Sequence, residues 1–257
     1  MKISGLILAA AIALLHASCS CPCPPHPCVQ ISPASYAPPP DPPVQVIWEH
    51  QLAAECLDSK PAKPKANNSL VPQVVLPVIP RCQEGNFSCW STTTEMILEF
   101  LGGERIRQGE QSNQVFKRTY CTGPNGLLIA DADCDSPWYP EFEKWGYNCQ
   151  HREQPLNPAE VKQQIDSGLP FAFSWARKSG LPTNLAGAAV SEDDQIAHML
   201  LAIGYGVDAQ TTEQALVIID PHPFVRSDAV IVPHHEYDGS DNSHLHWEDY
   251  IWIQPIQ

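Results

Sequence analysis

The chain has 257 residues, ten cysteines and a formal net charge of −14. Beyond residue 80 its 25 Asp and Glu outnumber its 11 Lys and Arg, and this acidic balance argues against nucleic-acid binding. The length accommodates one domain with a substantial core together with additional segments.

The first 18 residues are typical of a secretory signal peptide. A single Lys2 precedes an apolar run over residues 6–15, which is too short to span a membrane. The sequence therefore predicts export, either to a bacterial cell envelope or into the medium. Residues 14–19 also resemble a lipoprotein cleavage site, so a lipidated Cys19 is a candidate membrane tether. Cleavage after Ser18 without lipidation is the alternative.

Residues 19–80 form a proline-rich segment. Between residues 20 and 80 lie 15 of the chain's 26 prolines. This composition favours extended polyproline conformation and buries little apolar surface. We interpret the segment as a tether or, alternatively, as a propeptide that is removed. Residues 81–257 then form the single folded domain.

Ten cysteines in an exported chain indicate disulfides, although their connectivity does not follow from the sequence. We favour a bond between Cys121 and Cys134 across the turn at residues 123–126. The closely spaced cysteines 19, 21, 23 and 28 have a metal-like spacing but no matching ligands downstream. We therefore expect neither a metal nor a cofactor.

Residues 83–103 place a cysteine at the start of a predicted amphipathic helix. Ser88 is the expected N-cap, two glycines follow the helix, and apolar residues recur at helical spacing: Trp90, Met96, Ile97, Phe100 and Leu101. At the first helical position, the helix dipole and free N–H groups favour a Cys89 thiolate. Six residues earlier, the amide of Gln83 can donate to a developing oxyanion. A buried or disulfide-bonded Cys89 is the alternative.

Further helix and strand signals follow in the second half. Asn157, Pro158 and Glu160 predict a helix that stops at Gly168. A buried strand is expected over residues 169–175 and another strand over residues 245–253. His198 opens a continuous apolar strand, and residues 214–220 form the next one, so the two are predicted to pair as a hairpin.

The register of this hairpin decides whether His198 and Asp220 meet. A hairpin centred on residue 209 sets them opposite each other, whereas a centre at 210 sets His198 opposite His222 with Asp220 as a diagonal neighbour on the same face. A centre midway between these places them on opposite faces, and the sequence leaves the register open. A core histidine and a turn-capping aspartate are the alternatives for the two residues.

These residues resemble, in their order along the chain, the papain-like cysteine peptidases. The matching elements are Gln83, then Ser88, Cys89 and Trp90, His198 before Gly204 and Tyr205, and Asp220 before Pro221. The resemblance covers about residues 83–221. It is closest to the bacterial branch related to bacteriocin-leader peptidases and plant-pathogen effector proteases. Asn86, where plant and animal relatives have a disulfide cysteine, and an Asp as third member both suit that branch.

The resemblance implies a role for each matched residue. Cys89 is the expected nucleophile, His198 the general base and acid, Asp220 the residue that orients His198, and Gln83 the oxyanion donor beside the Cys89 N–H. Trp90 is expected to contribute to substrate binding. The implied fold is α+β, with an N-terminal helical part that bears the Cys89 helix packed on a C-terminal antiparallel sheet.

The expected function is an exported cysteine peptidase that cleaves a protein or peptide substrate through an acyl-thioester. A thiol acyltransferase or amidase on the same fold is one alternative, because these residues fix the nucleophile and leave the acceptor open. A non-catalytic envelope lipoprotein is another. The sequence indicates no oligomeric state.

Two further clusters carry open interpretations. Five histidines, His222, His234, His235, His244 and His246, have spacings compatible with zinc, but a polar context favours solvated loop residues. Four aromatic residues, Trp138, Tyr139, Trp145 and Tyr147, are suited to line a substrate cleft. Packing beneath a loop is the favoured alternative.

Overall fold

The computed structural model describes residues 70–129, 131–177, 197–222, 229–241 and 244–256. All of them belong to one compact unit of the chain, Pro38–Gln257. The helices are α1 (Cys89–Phe100), α2 (Gln108–Phe116), a 3₁₀ helix (Phe142–Trp145), α3 (Pro158–Asp166) and the single turn α4 (His234–Tyr237). The strands are β1 (Leu70–Val75), β2 (Tyr147–Arg152), β3 (Phe171–Arg177), β4 (His198–Asp208), β5 (Gln214–Ile219), β6 (Val230–Pro233) and β7 (His244–Pro255).

The seven strands of the described part form one sheet in which every pairing is antiparallel. Their order is β2-β7-β3-β4-β5-β6, and β1 pairs with the half of β4 that β3 does not reach. A small helical part and a large antiparallel sheet agree with the expected α+β class.

The central strands β4 and β5 are buried on both faces of the sheet. One apolar cluster joins α1, through Trp90, Met96 and Ile97, to alternate residues of β4 and β5. A second cluster, on the opposite face of the sheet, joins α3, through Val161 and Ile165, to the remaining buried residues of β4 and β5. The continuous apolar run of β4 follows from this arrangement, because a strand covered on both faces needs apolar side chains at successive positions.

The local signals for two helices are confirmed. α1 begins at Cys89 and ends before Gly102, whose φ of +81° is accessible to glycine at low cost. α3 has Pro158 at its first position and the complete capping box expected of Asn157 and Glu160. The disulfide between Cys121 and Cys134 is also present.

The folded part starts before the predicted boundary at residue 81. Strand β1, which lies in the segment interpreted as a tether, pairs with β4 despite Pro72, because the register shifts between Pro72 and Val74. β1 comes very close to Gly204 and Gly206, where an added Cβ would lie 2.3 and 2.4 Å from carbonyl oxygens of β1. The sheet therefore includes a strand that lies before residue 81.

The predicted signal peptide, Cys19 and the proline-rich segment up to residue 69 lie outside the described residues. Within the part that the structure describes, no helix has the length and apolar character needed to cross a membrane.

Candidate active site

The start of α1 presents Cys89 as a half-buried, unbridged thiol. Ser88 occupies the N-cap position, but its hydroxyl accepts a hydrogen bond from Gly85 N (2.9 Å) and donates to Gly85 O (3.3 Å). It makes no capping bond to the helix. The first N–H groups of α1 therefore receive no cap from Ser88, and free N–H groups at a helix start favour anions.

A β-bulge decides where His198 points. Near the loop that joins β4 to β5, Tyr205 pairs with Leu216. If the same register continued to the start of β4, His198 and Asp220 would lie on opposite faces of the sheet. The register shifts between Ala202 and Gly204, so that Leu201 pairs with Ile219. Continued to the strand end, the shifted register sets His198 opposite His222, with Asp220 as its diagonal neighbour on one face.

The side-chain positions agree with this pairing. His198 Nε2 lies 2.6 Å from Asp220 Oδ1, and the His198 and His222 rings are 6.3 Å apart between centroids. Both members of the pair are largely buried, since the side chains of His198 and Asp220 expose 23 and 12% of their surface. A hydrogen bond to Nε2 leaves Nδ1 as the ring nitrogen that faces other partners.

The His198 ring also contacts Cys89. Burial alone lowers the pKa of His198, but hydrogen bonds with Asp220 and Cys89, together with their charges, outweigh it and raise the pKa to about 10. The imidazole is then protonated at neutral pH. A cationic imidazole in contact with a thiol is the arrangement that supports a thiolate nucleophile.

Asp220 remains ionised in this setting. Burial opposes its charge, but the hydrogen bond and charge of His198 lower the pKa of Asp220 overall. The backbone N–H of His222 also donates to Asp220 Oδ1, at 2.8 Å. Because two donors converge on one carboxylate oxygen, the orientation of Asp220, and hence of the His198 ring, is constrained.

Gln83 lies beside this site but is engaged differently from expectation. Its backbone N–H donates to Pro221 O at 2.8 Å, which ties the segment before α1 to the end of β5. Its side-chain amide donates to Gly85 O (2.8 Å) and Asn86 O (3.2 Å), while Oε1 is buried without a partner. In this conformation Gln83 Nε2 thus has two acceptors within the loop, whereas the sequence predicts that it donates to the oxyanion.

Trp90 packs into the core instead of facing a cleft. It is 2% exposed, its Nε1 donates to Ser136 O at 3.2 Å, and its ring meets Phe116 edge-on. Trp90 therefore offers almost no surface for direct contact with a substrate, and the expected contribution to substrate binding stays a prediction.

The aromatic cluster likewise serves packing. Trp138 stacks on Tyr139 with 5.1 Å between centroids, and Phe116 meets Trp138 edge-on. Together with Trp145 and Tyr147, these rings belong to or pack against the cluster that contains α1.

The histidines are less solvated than predicted. His234 is 8% exposed, with Nε2 2.9 Å from Leu156 O, and the His246 side chain is 3% exposed. His244 stacks on Trp175, and His235 pairs with Glu213 at the surface. No group of three or more potential metal ligands occurs among the described residues.

Sequence reasoning missed Gln108, which is 1% exposed at the start of α2. Its Nε2 donates to Cys82 O and its Oε1 accepts from Glu84 N, both at 2.8 Å, so it holds the backbone on either side of Gln83. No local pattern links residues 24 positions apart, and a polar helix position carries no signal that it will be buried.

No protein-family model and no curated protein matches this chain. Among solved structures, it is similar to digestive procathepsin L 3 of Tenebrio molitor larval midgut, with 15% identity, a TM-score of 0.37 and coverage of 79% of this chain and 78% of that one. It is also similar to UfSP from C. elegans, with 12% identity and a TM-score of 0.38. That match covers 74% of this chain and spans 38% of the UfSP chain.

Proposed function

We propose that the protein is a cysteine peptidase of papain-like type, in which Cys89 is the nucleophile, His198 the general base and acid, and Asp220 the residue that orients His198. The observation that carries the proposal is the chain of contacts from Cys89 through His198 to Asp220, with an unbridged thiol at a helix start and a 2.6 Å bond between the other two.

In this mechanism the Cys89 thiolate attacks the carbonyl carbon of the scissile peptide bond. His198 then gives its proton to the leaving amine, and an acyl-thioester on Cys89 remains. A water molecule, whose proton passes to His198, hydrolyses the thioester and restores the Cys89 thiolate beside a protonated His198. The backbone N–H of Cys89 is suited to stabilise the oxyanion in both steps, because no Ser88 side-chain cap competes for the helix start.

The finer assignments rest on sequence features. Export follows from the N-terminal 18 residues, and an aspartate as third member of the site favours the bacterial branch of papain-like enzymes. The proline-rich segment then links the peptidase to the envelope through Cys19 or is removed from it. Substrates are proteins or peptides, and no cofactor takes part.

The test uses the full chain, purified after export, with iodoacetamide labelling followed by peptide mapping and with hydrolysis of an unstructured protein such as casein. We expect labelling at Cys89 and a loss of hydrolysis in Cys89→Ser. His198→Ala should slow labelling at neutral pH while thermal unfolding remains cooperative. Cys149→Ser is the matched control, because Cys149 is also half-buried and unbridged and donates a hydrogen bond to Glu143.

Full hydrolysis by Cys89→Ser would refute the proposal. Acyl transfer is distinguished by its products: a peptidase releases new carboxyl termini in the absence of added amine. A transferase requires an amine acceptor for turnover.

A further inference from the structure

The loop that precedes the nucleophile, residues 83–88, is held by a carboxylate from a distant part of the chain. Asp135 accepts the backbone N–H of Asn86 on Oδ2 (2.6 Å) and that of Phe87 on Oδ1 (2.9 Å). Asp135 is 7% exposed, so this contact is largely shielded from water. Both carboxylate oxygens therefore bind backbone groups two and three residues ahead of Cys89.

The fit between Asp135 and the loop is close. A Cβ added to Gly85 would lie 2.4 Å from the Asp135 carboxylate, so only glycine allows this approach without displacement. Burial raises the pKa of Asp135, against the lowering effect of the two backbone hydrogen bonds. A largely buried carboxylate is costly unless its oxygens are satisfied, and here the loop supplies both donors.

The segment that carries Asp135 is itself fixed. Its neighbour Cys134 is bonded to Cys121, and both sulfur-bearing residues are at most 1% exposed. The backbone N–H of Asp135 donates to Asp131 O at 2.7 Å. The next residue, Ser136, accepts Trp90 Nε1. Residues 134–136 thus contact the chain on both sides of Cys89.

We propose that Asp135 is a positioning residue for the oxyanion-binding backbone of this site, and that the Cys121–Cys134 disulfide keeps it in place. The inference rests on the proposed peptidase function. Phe87 is two residues from Cys89, so the carboxylate fixes the direction in which the chain enters α1 and thereby the direction of the Cys89 N–H. A displacement of about 1 Å in a catalytic group costs on the order of a hundredfold in rate.

The test compares Asp135→Asn with Asp133→Asn. Asp133 lies in the same segment, but its carboxylate is exposed and pairs with Arg118 and Tyr120. The amide introduced by Asp135→Asn keeps the shape of the carboxylate yet replaces one acceptor with a donor. We expect this variant to lower kcat for peptide hydrolysis about tenfold or more, with KM and the rate of Cys89 alkylation within about threefold of the parent values. Asp133→Asn should match the parent in all three.

A second measurement is independent of activity. Amide hydrogen exchange at Asn86 and Phe87 should accelerate in Asp135→Asn, because these two N–H groups lose their carboxylate acceptor, and should remain at the parent rate in Asp133→Asn. The double variant Cys121→Ser/Cys134→Ser, assayed in the same way, should accelerate the same two amides and lower kcat in the same direction.

Parent values of kcat and of both exchange rates in Asp135→Asn would overturn the inference. So would a parallel loss of alkylation and hydrolysis, which would indicate general damage to the site. Failure of the peptidase proposal has a different signature, namely hydrolysis that survives in Cys89→Ser or is absent from the parent. The two amide exchange rates still decide whether Asp135 holds the loop in that case.

Discussion

His198 and Asp220 lie 2.6 Å apart, nitrogen to oxygen, because β4 contains one extra residue between them. The register shift at Ile203 moves the N-terminal end of β4 by one position relative to β5. Its effect on side-chain direction is visible at Tyr205, which joins the same apolar cluster as Leu200 and Ala202 although strict alternation would place it on the other face.

The bond between these residues predicts a pH dependence. Asp220 helps to raise the pKa of His198 to about 10, so Asp220→Asn should lower that pKa and move the alkaline decline of kcat/KM to lower pH. A shift of about one unit or more is expected in the pH–rate profile, which reports the coupled site as a whole. Asp208→Asn, at the loop end of the same strand, serves as the control. An unchanged alkaline limb in Asp220→Asn would contradict this role.

Gly204 predicts a stability effect. A Cβ there would lie 2.3 Å from Val74 O and 3.1 Å from Val75 Cα, both backbone atoms that cannot move without detaching β1. Gly204→Ala should reduce the free energy of unfolding by about 1–3 kcal/mol, measured by denaturant titration. Gly123→Ala is the comparison, because the nearest atom there belongs to the Asn125 side chain. Equal stability of the two variants would show that β1 is dispensable.

The partly buried ion pair between Arg105 and Glu95 predicts that removal of its arginine costs more stability than removal of an arginine from an exposed pair. Glu95 is fully buried on α1 and lies 2.6 Å from Arg105 Nε. Arg105→Met leaves this carboxylate without its cation and should cost about 3 kcal/mol of stability. Arg118→Met removes an exposed pair and should cost less than about 1 kcal/mol.

The loss in Arg105→Met should also depend on pH. Burial raises the pKa of Glu95, while Arg105 lowers it, so removal of Arg105 raises it further. A raised carboxylate pKa in the folded state makes stability fall as pH rises. The cost should therefore be greater at pH 8 than at pH 5 in denaturant titrations, and an equal cost at both values would contradict the assignment.

Asp249 predicts a slope in stability at neutral pH. It is fully buried, and burial raises its pKa from 3.8 to about 8, against the hydrogen bonds from Tyr237 and Leu156. Between those values the folded state retains a proton that the unfolded state has lost, so stability falls as pH rises. Burial lowers the pKa of His246 to about 4. This group makes stability rise with pH, but only below pH 6.5.

The measurement therefore uses pH 6.5–8. From pH 6.5 to pH 8, the free energy of unfolding of the parent should fall by about 2 kcal/mol more than that of Asp249→Asn. The asparagine side chain keeps an acceptor for the Tyr237 hydroxyl. Asp238→Asn is the control, because the pKa of Asp238 is lowered and its linkage lies at acidic pH. Parallel curves for the parent and Asp249→Asn would show that Asp249 ionises normally.

Local chemistry in the sequence was sufficient for several elements. Ser88 marked the start of α1 by its position, although its side chain makes no capping bond, and Gly102 marked the end, because a left-handed glycine acts within a few residues of a helix end. Asn157, Pro158 and Glu160 located α3 in the same way. The pairing of Cys121 with Cys134 was also predictable, since a short loop with a turn brings its ends together.

The sequence by itself thus determined that Cys89 lies at the start of a helix. It also determined that His198 begins one strand and that Asp220 follows the end of the neighbouring strand. Only the tertiary structure decided whether those two residues meet, because an extra residue in a strand leaves the apolar pattern of a doubly buried sheet unchanged. The burial of Trp90, the engagement of the Gln83 amide and the hold of Asp135 on the loop before Cys89 were likewise decided there. Each depends on contacts between residues far apart in sequence, and hydrophobic periodicity carries no information about such contacts.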